Sequence, residues 1–222
     1  MKLIDGVYAY PWTNMMENNS NTYVLQGTEG LILIDPGLKR YVPDTIENMK
    51  KDGLNPDDIK QVICTHCHPD HVDGVAYFAD KSIPVAWSAE EDAFLNEVGR
   101  DFFRMFGLNE PAFTATSLCA EGDLAVAGLN LKIILAPGHS PGSICIYWPE
   151  KKVMVTGDVV FSSSIGRTDF PGGDSGLLKQ SIDRISTLPA EIVLPGHNEV
   201  VEGAEAVKRN YDFIKSAFFS YL

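Results

Sequence analysis

Thr65-His66-Cys67-His68-Pro69-Asp70-His71 packs three imidazoles and a carboxylate into one short turn, directly after the β-branched, apolar run Gln61-Val62-Ile63-Cys64. Such a run predicts a strand, and a turn at its end presents the polar side chains at one edge of a sheet. The same arrangement recurs three times. Lys132-Ile133-Ile134-Leu135 leads to Pro137-Gly138-His139, Val153-Met154-Val155 to Thr156-Gly157-Asp158, and Ile192-Val193-Leu194 to Pro195-Gly196-His197. All 5 histidines of the chain lie in these clusters. Four separate strand ends therefore converge on one place.

In His66-x-His68 a single residue separates two imidazoles on a turn, so both can face one cation. Asp70-His71 aims two more donors at a neighbouring point. A mononuclear hydrolytic zinc takes three protein ligands plus water. His66, His68, Asp70, His71, His139, Asp158 and His197 are too many for one ion, and two divalent cations fit the count. The natural division gives His66, His68 and His139 to one metal and Asp70, His71 and His197 to the other, with Asp158 bridging through its two oxygens. Metals about 3.5–4 Å apart can share a hydroxide of near-neutral pKa while one polarises a scissile carbonyl. Asp70 is also the candidate catalytic residue, orienting that hydroxide by a hydrogen bond. A nitrogen and oxygen donor set accepts zinc, the first expectation, and equally iron or manganese.

The 222 residues are 45% hydrophobic and 22% charged, with a formal charge of −12. That composition predicts a globular chain, and one domain over residues 1–222 is expected. The negative charge repels phosphate backbones and anionic lipid, so the expected partner is a small-molecule substrate, with no nucleic acid and no membrane. A nuclease would also need a basic stripe that the sequence lacks. The absence of a long apolar leader or spanning run gives a cytoplasmic expectation. Nothing in the sequence fixes the oligomeric state. Cys64-x-x-Cys67 has no second pair to make a zinc ribbon, and His66 within it belongs to the histidine cluster. Both thiols are expected to be incidental, Cys64 packed in a strand and Cys67 held in the metal loop.

Elsewhere, residues 7–10, 21–25 and 31–34 read as a strand meander. Helices are predicted over 41–52, 71–79 and 88–106, the last opened by Ser88 with Glu91 three residues on, as in a capping box. Strands resume over 129–135, 143–148 and 153–156. A long loop at 157–173 follows, then a helix at 174–188, a strand at 192–194, and a closing helix at 203–221 expected to cover a sheet. Strands and then helices, twice over, imply an α/β (α+β) class: an αββα sandwich of two face-to-face mixed β-sheets flanked by helices.

Taken together, Thr65-His66-x-His68-x-Asp70-His71, Pro137-Gly138-His139-Ser140-Pro141-Gly142-Ser143, Gly157-Asp158 and Gly196-His197 resemble the metallo-β-lactamase-fold hydrolases over nearly the whole chain. The resemblance implies that Asp35, in Ile34-Asp35-Pro36-Gly37, stands behind the ligands and supports them. The segment Ser164-Ile165-Gly166-Arg167-Thr168-Asp169-Phe170-Pro171-Gly172-Gly173-Asp174 is similar to the glyoxalase II branch, in its short bacterial members. That likeness implies thioester hydrolysis. Only 25 residues follow His197, so the helical C-terminal domain that supplies much of the glutathione site in glyoxalase II proper is not expected here. The same segment also resembles the persulfide dioxygenases, in which His66, His139 and Asp158 would hold a single Fe(II). Arg167 has two readings, a grip on a substrate carboxylate or a strut paired with Asp169 or Asp174 that holds the loop. Trp12, Tyr41, Trp87, Phe161 and Phe170 are aromatic candidates for a pocket wall, Phe170 foremost because its loop leaves a metal-bearing strand.

Overall fold

The computed structural model describes residues 1–14 and 16–222. Seven strands build the first sheet in chain order: β1 (Lys2–Ile4), β2 (Val7–Tyr10), β3 (Thr22–Gln26), β4 (Leu31–Ile34), β5 (Ile59–Ile63), β6 (Val85–Ser88) and β7 (Ser117–Cys119). The meander β1 to β4 is antiparallel; β4 to β7 then run parallel. Parallel neighbours need crossovers. These are α1 (Val42–Lys51), the short pair α2 (Pro69–Val72) and α3 (Val75–Ala79), and the tandem α4 (Ala89–Phe94) and α5 (Arg100–Met105).

The second sheet begins with the antiparallel run β8 (Gly122–Val126), β9 (Leu129–Leu135), β10 (Ile144–Trp148) and β11 (Val153–Gly157). A hairpin of β12 (Val160–Phe161) and β13 (Ser164–Ile165) and then α6 (Ser175–Ile185) intervene. The sheet is completed by β14 (Ile192–Pro195), parallel to β11, and the edge strand β15 (Val201–Glu202), before the closing helix α7 (Ala204–Phe218).

Alternation along the strands explains the layers. Tyr23, Leu25, Ile32, Ile34 and Ile63 point from the first sheet into a shared core with Leu131, Ile133, Ile144, Ile146, Val155 and Leu194 of the second. Their neighbours Val24, Leu33 and Val62 face the other way, onto Ile46 and Met49 of α1, Val75 and Phe78 of α3, and Phe103 of α5. On the far side Cys145, Tyr147, Met154 and Val193 pack against Leu178, Ile182, Val207, Tyr211 and Ile214. Both faces of each sheet are covered, so strands such as β4 and β10 read as unbroken apolar runs. The fold is the αββα sandwich that the strand and helix pattern predicts, and the one that the resemblance to the metallo-β-lactamase-fold hydrolases implies.

Several local expectations change, and the stretch 157–173 expected as a loop carries the β12–β13 hairpin. The helix predicted at 71–79 breaks at Asp73–Gly74, because the Gly74 N–H donates to the Gly37 carbonyl at 2.7 Å and a side chain there would strike Val42 and Pro36. The helix predicted at 88–106 contains a wider π-type turn over Leu95–Gly99. Ser88 does cap α4 by accepting the Glu91 N–H, but the Glu91 carboxylate does not return the bond. Of the closing helix, Ile214 is buried while Phe213 stands 49% exposed, so one face covers the sheet and the other is free.

Candidate metal centre

Strands that run in the same direction end at the same rim. The residues after β5, β9, β11 and β14 lie at that rim, and the parallel pair β11 and β14 sets Gly157 beside Pro195, which brings Asp158 and His197 together. Two glycines permit the close approach. Gly157 has φ of 49°, and a Cβ there would press on Thr65; at Gly196 a Cβ would collide with Asp158 Oδ1 and His71 Cε1. The loops are cross-braced by Asn21, whose amide donates to the carbonyls of Pro195 and Asn198, and by the Ile144 N–H on the Thr65 carbonyl.

The donor atoms gather in two groups that share a border. His68 Nδ1 and His139 Nε2 are 2.9 Å apart, with His66 alongside. His71 Nε2 lies 3.3 Å from His197 Nε2 and 3.8 Å from Asp70 Oδ2, and Asp70 Oδ2 lies 3.2 Å from His197 Nε2. Asp158 sits between the groups. Its Oδ1 is 3.2 Å from His71 Nε2, while its Oδ2 is 3.4 Å from His197 Nε2 and 3.5 Å from His139 Nε2. All of these residues except His197 are buried.

Hydrogen bonds behind the rings decide which nitrogen faces inward. His139 Nδ1–H donates to the Arg167 carbonyl at 2.8 Å, and His71 Nδ1–H donates to Asp35 Oδ2 at 3.0 Å. The Thr65 hydroxyl gives its proton to Asp35 Oδ2 at 2.7 Å and so accepts from His66 Nδ1 at 3.2 Å. Each of the three rings therefore aims Nε2 at the centre. Asp35, with φ of 51°, also accepts the Thr65 N–H at 2.7 Å and is wholly buried. Asp tolerates this left-handed backbone better than most residues.

Among the described residues, His66 Nε2 and Asp158 Oδ1, both turned to the centre, have no hydrogen-bond partner although buried, while His68 presents Nδ1 inward and leaves its outer Nε2 unpaired. Buried polar atoms are normally paired. Inward lone pairs without donors, in two groups of three around a shared carboxylate, fit divalent cations by position and by chemistry.

The two groups differ electrostatically. Burial drives His66 well below the ordinary imidazole range, takes His68 down to about 3 and lowers His139, so this triad is neutral. Burial would also lower His71 and His197, but Asp158, Asp35 and Asp70 outweigh it at His71, holding it well above its usual value, and Asp158 and Asp70 outweigh it at His197, holding it at about 10. Against their own burial, His71 and His197 pull Asp70 down to about 2, and His197 and His71 pull Asp158 below the carboxylate range. The first group offers bare nitrogens, whereas the second must shed protons before it can bind a cation.

A cleft of ≈ 420 Å³ opens onto His68, Asp70, His139, Asp158 and His197. Its wall is aromatic. Phe102 and Phe170 lie 4.9 and 5.8 Å from the His68 ring, Phe106 continues outward 5.3 Å from Phe102, and Phe161 packs 5.7 Å from His197. Arg167 lines the mouth, yet its guanidinium makes two 2.6 Å bonds to Asp169 and rests 3.7 Å from the Phe170 centroid. Asp174 is not its partner, because Asp174 caps α6 by accepting the Leu177 N–H. Trp87 belongs to the core behind α3 and α5, and Trp12 pairs with Tyr41 outside this cleft. Cys64 and Cys67 are buried free thiols raised by that burial.

Several residues of the site escape sequence reading. Asn18 donates to Asp70 Oδ2 at 2.8 Å from a partner 52 residues away, and its only trace is an asparagine-rich stretch before β3. Phe102 reads as a core position of the helix predicted over 88–106, and Phe106 only as the end of that helix. Glu91 is wholly buried beneath the ligand loops.

A family model for the metallo-beta-lactamase superfamily matches residues 15–197. The hydroxyacylglutathione hydrolase GloC of Haemophilus influenzae is 37% identical over 218 residues, covering 95% of this chain and 99% of that protein. The crystal structure of the BLEG-1 B3 metallo-beta-lactamase superposes with a TM-score of 0.77 at 31% identity, covering 90% of this chain and 95% of that one. TTHA1623, in a di-iron-bound form, gives 0.76 at 28% identity, with 91% and 98% covered.

Proposed function

From the premise that the chain belongs to the metallo-β-lactamase superfamily, on its glyoxalase II-like side, we propose that it is a dinuclear metal-dependent thioester hydrolase. The observation that carries this is Asp158, set between the two triads with Oδ1 toward His71 and Oδ2 within reach of both His139 and His197. His66, His68 and His139 would hold one cation, and Asp70, His71 and His197 the other, zinc first and iron or manganese otherwise. Bound there, the cations supply Lewis acidity and an ionised water at neutral pH.

The chain's own residues fit hydrolysis by water. Among the described residues no Ser, Thr, Cys, Lys or Tyr lines the cleft, so no side-chain nucleophile competes. Asp70, braced by Asn18, can accept a hydrogen bond from an attacking water. The leaving group decides between acyl substrates. An amine must be protonated as it departs, whereas a thiol with pKa near ~8.5 leaves as its anion. Apart from the proposed ligands, the polar groups among the described lining residues are Asn18 and an arginine already paired with Asp169, neither of them a proton donor suited to that task. This favours a thioester, the chemistry that the name of the GloC relative also carries. The phenylalanine wall suits a small, uncharged acyl group. Arg167, neutralised by Asp169, serves the loop more than an anion.

A second reading, a mononuclear Fe(II) persulfide dioxygenase, would hold its iron on His66, His139 and Asp158. Asp70, His71 and His197 are present in that family too, so the ligand set does not separate the two, and the likeness to the GloC hydrolase over 95% of the chain favours hydrolysis. Metal analysis of protein purified without added metal, beside thioester-hydrolysis and oxygen-uptake assays with glutathione persulfide, separates the two. Two metals with thioester turnover are expected; one iron with oxygen consumption would overturn the proposal.

A further inference from the structure

Glu91 lies on α4, outside the cleft, and touches none of the proposed ligands directly. Its carboxylate is 0% exposed. A buried carboxylate is costly unless donors surround it, and here three do. Oε2 accepts the Cys67 N–H at 2.7 Å; Oε1 accepts the Ser140 hydroxyl at 2.5 Å and the Gly142 N–H at 2.8 Å. Cys67 is the residue between His66 and His68. Ser140 follows His139. One side chain thus ties the loop after β5 in the first sheet to the loop after β9 in the second, and these loops supply all three histidines of the first triad. Ser88, the cap of the same helix, reinforces the tie by donating to the Gly142 carbonyl at 2.6 Å.

We propose that Glu91 is a positioning residue that fixes the spacing of His66, His68 and His139, and so sets the affinity of the first cation site more strongly than that of the second. This rests on the reading of that triad as a cation site. An apolar residue would fill the space with less desolvation, but it would leave the Cys67 and Gly142 N–H groups buried and unpaired. It would also free the two loops to move apart, and the 2.9 Å approach of His68 Nδ1 to His139 Nε2 depends on both.

Glu91→Gln keeps the shape but has one acceptor oxygen. With that oxygen on Ser140 and Gly142, the new amide faces the Cys67 N–H, donor against donor. Stepwise zinc constants, measured by competition with a chromophoric chelator, should show one site weakened roughly 10–100-fold, the usual effect of losing such a support. The other site should change less than the first, and Glu90→Gln, on the exposed neighbour, should match wild type. Loss of fold stability alone would lower the melting temperature and leave both constants in place. Should Glu91→Gln fail to fold, Ser140→Ala removes one donor and keeps the carboxylate, and it should weaken the same step to a lesser degree. Wild-type constants in both variants, or in Ser140→Ala alone if the other does not fold, overturn the role of Glu91 and leave the proposed function standing. A wild-type chain that binds no zinc overturns both.

Discussion

Replacing Asp35 by Asn tests whether the proton on His71 is controlled from behind. Asp35 accepts three hydrogen bonds, from the Thr65 N–H and hydroxyl at 2.7 Å each and from His71 Nδ1–H at 3.0 Å. Asn offers one oxygen. If that oxygen keeps the Thr65 N–H, the amide points at His71 Nδ1 and donates to it, which moves the ring proton to Nε2, the atom 3.2 Å from Asp158 Oδ1. The inward lone pair is then lost. If the oxygen instead keeps His71, the amide opposes the Thr65 N–H, and a buried donor is left unpaired at a cost of about 1–3 kcal/mol. The first arrangement should weaken the second cation site roughly 10–100-fold, or about 1.4–2.8 kcal/mol. In a chain of this size the second should lower the metal-free melting temperature by roughly 2–12 °C. Chelator competition and thermal melting in EDTA measure the two. An Asp35→Asn variant with both zinc constants and the melting temperature of wild type would refute the claim that Asp35 orients His71.

Because His197 in the metal-free protein holds its proton up to about 10, cation binding at neutral pH must displace it. Affinity for the second site should therefore rise with pH through the neutral range, by up to about tenfold per unit for each proton released; calorimetry in buffers of different ionisation enthalpy should report at least one proton, and no buffer dependence would contradict this. Phe106→Ala removes the outer part of the wall, a ring 40% exposed, and should cost about 1 kcal/mol, roughly fivefold in kcat/KM for apolar acyl thioesters; an equal effect on acetyl and longer acyl substrates would argue against wall contact. Arg167→Ala should lower the melting temperature slightly and leave KM unchanged, whereas a raised KM with unchanged stability would restore the substrate-gripping role.

What the sequence discloses follows the range of the interactions. β11 and β14 are buried on both faces throughout, and β5 and β9 are buried at Val62-Ile63 and Ile133-Ile134 near their ends, so apolar runs mark all four, and the turn that follows each carries residues with no other evident duty. The double layer is legible for the same reason. Glu91 is not, because Ser88-x-x-Glu91 satisfies a local capping pattern, while the donors that occupy its carboxylate lie 24, 49 and 51 residues away. Asp174 and Asp169 are equally plausible partners for Arg167 on the page of sequence. Only the fold assigns the first to a helix cap and the second to the guanidinium. The break in the helix after His71 depends on Gly37, a residue far before Gly74 in the chain.

The central claim is that two cations sit on either side of Asp158. Anomalous diffraction from crystals of the zinc-loaded protein, recorded on both sides of the zinc edge, tests it directly. Two peaks about 3.5–4 Å apart, one within the His66, His68 and His139 triad and the other within Asp70, His71 and His197, are the predicted result. A single peak at full occupancy, or two that do not share Asp158, would contradict it.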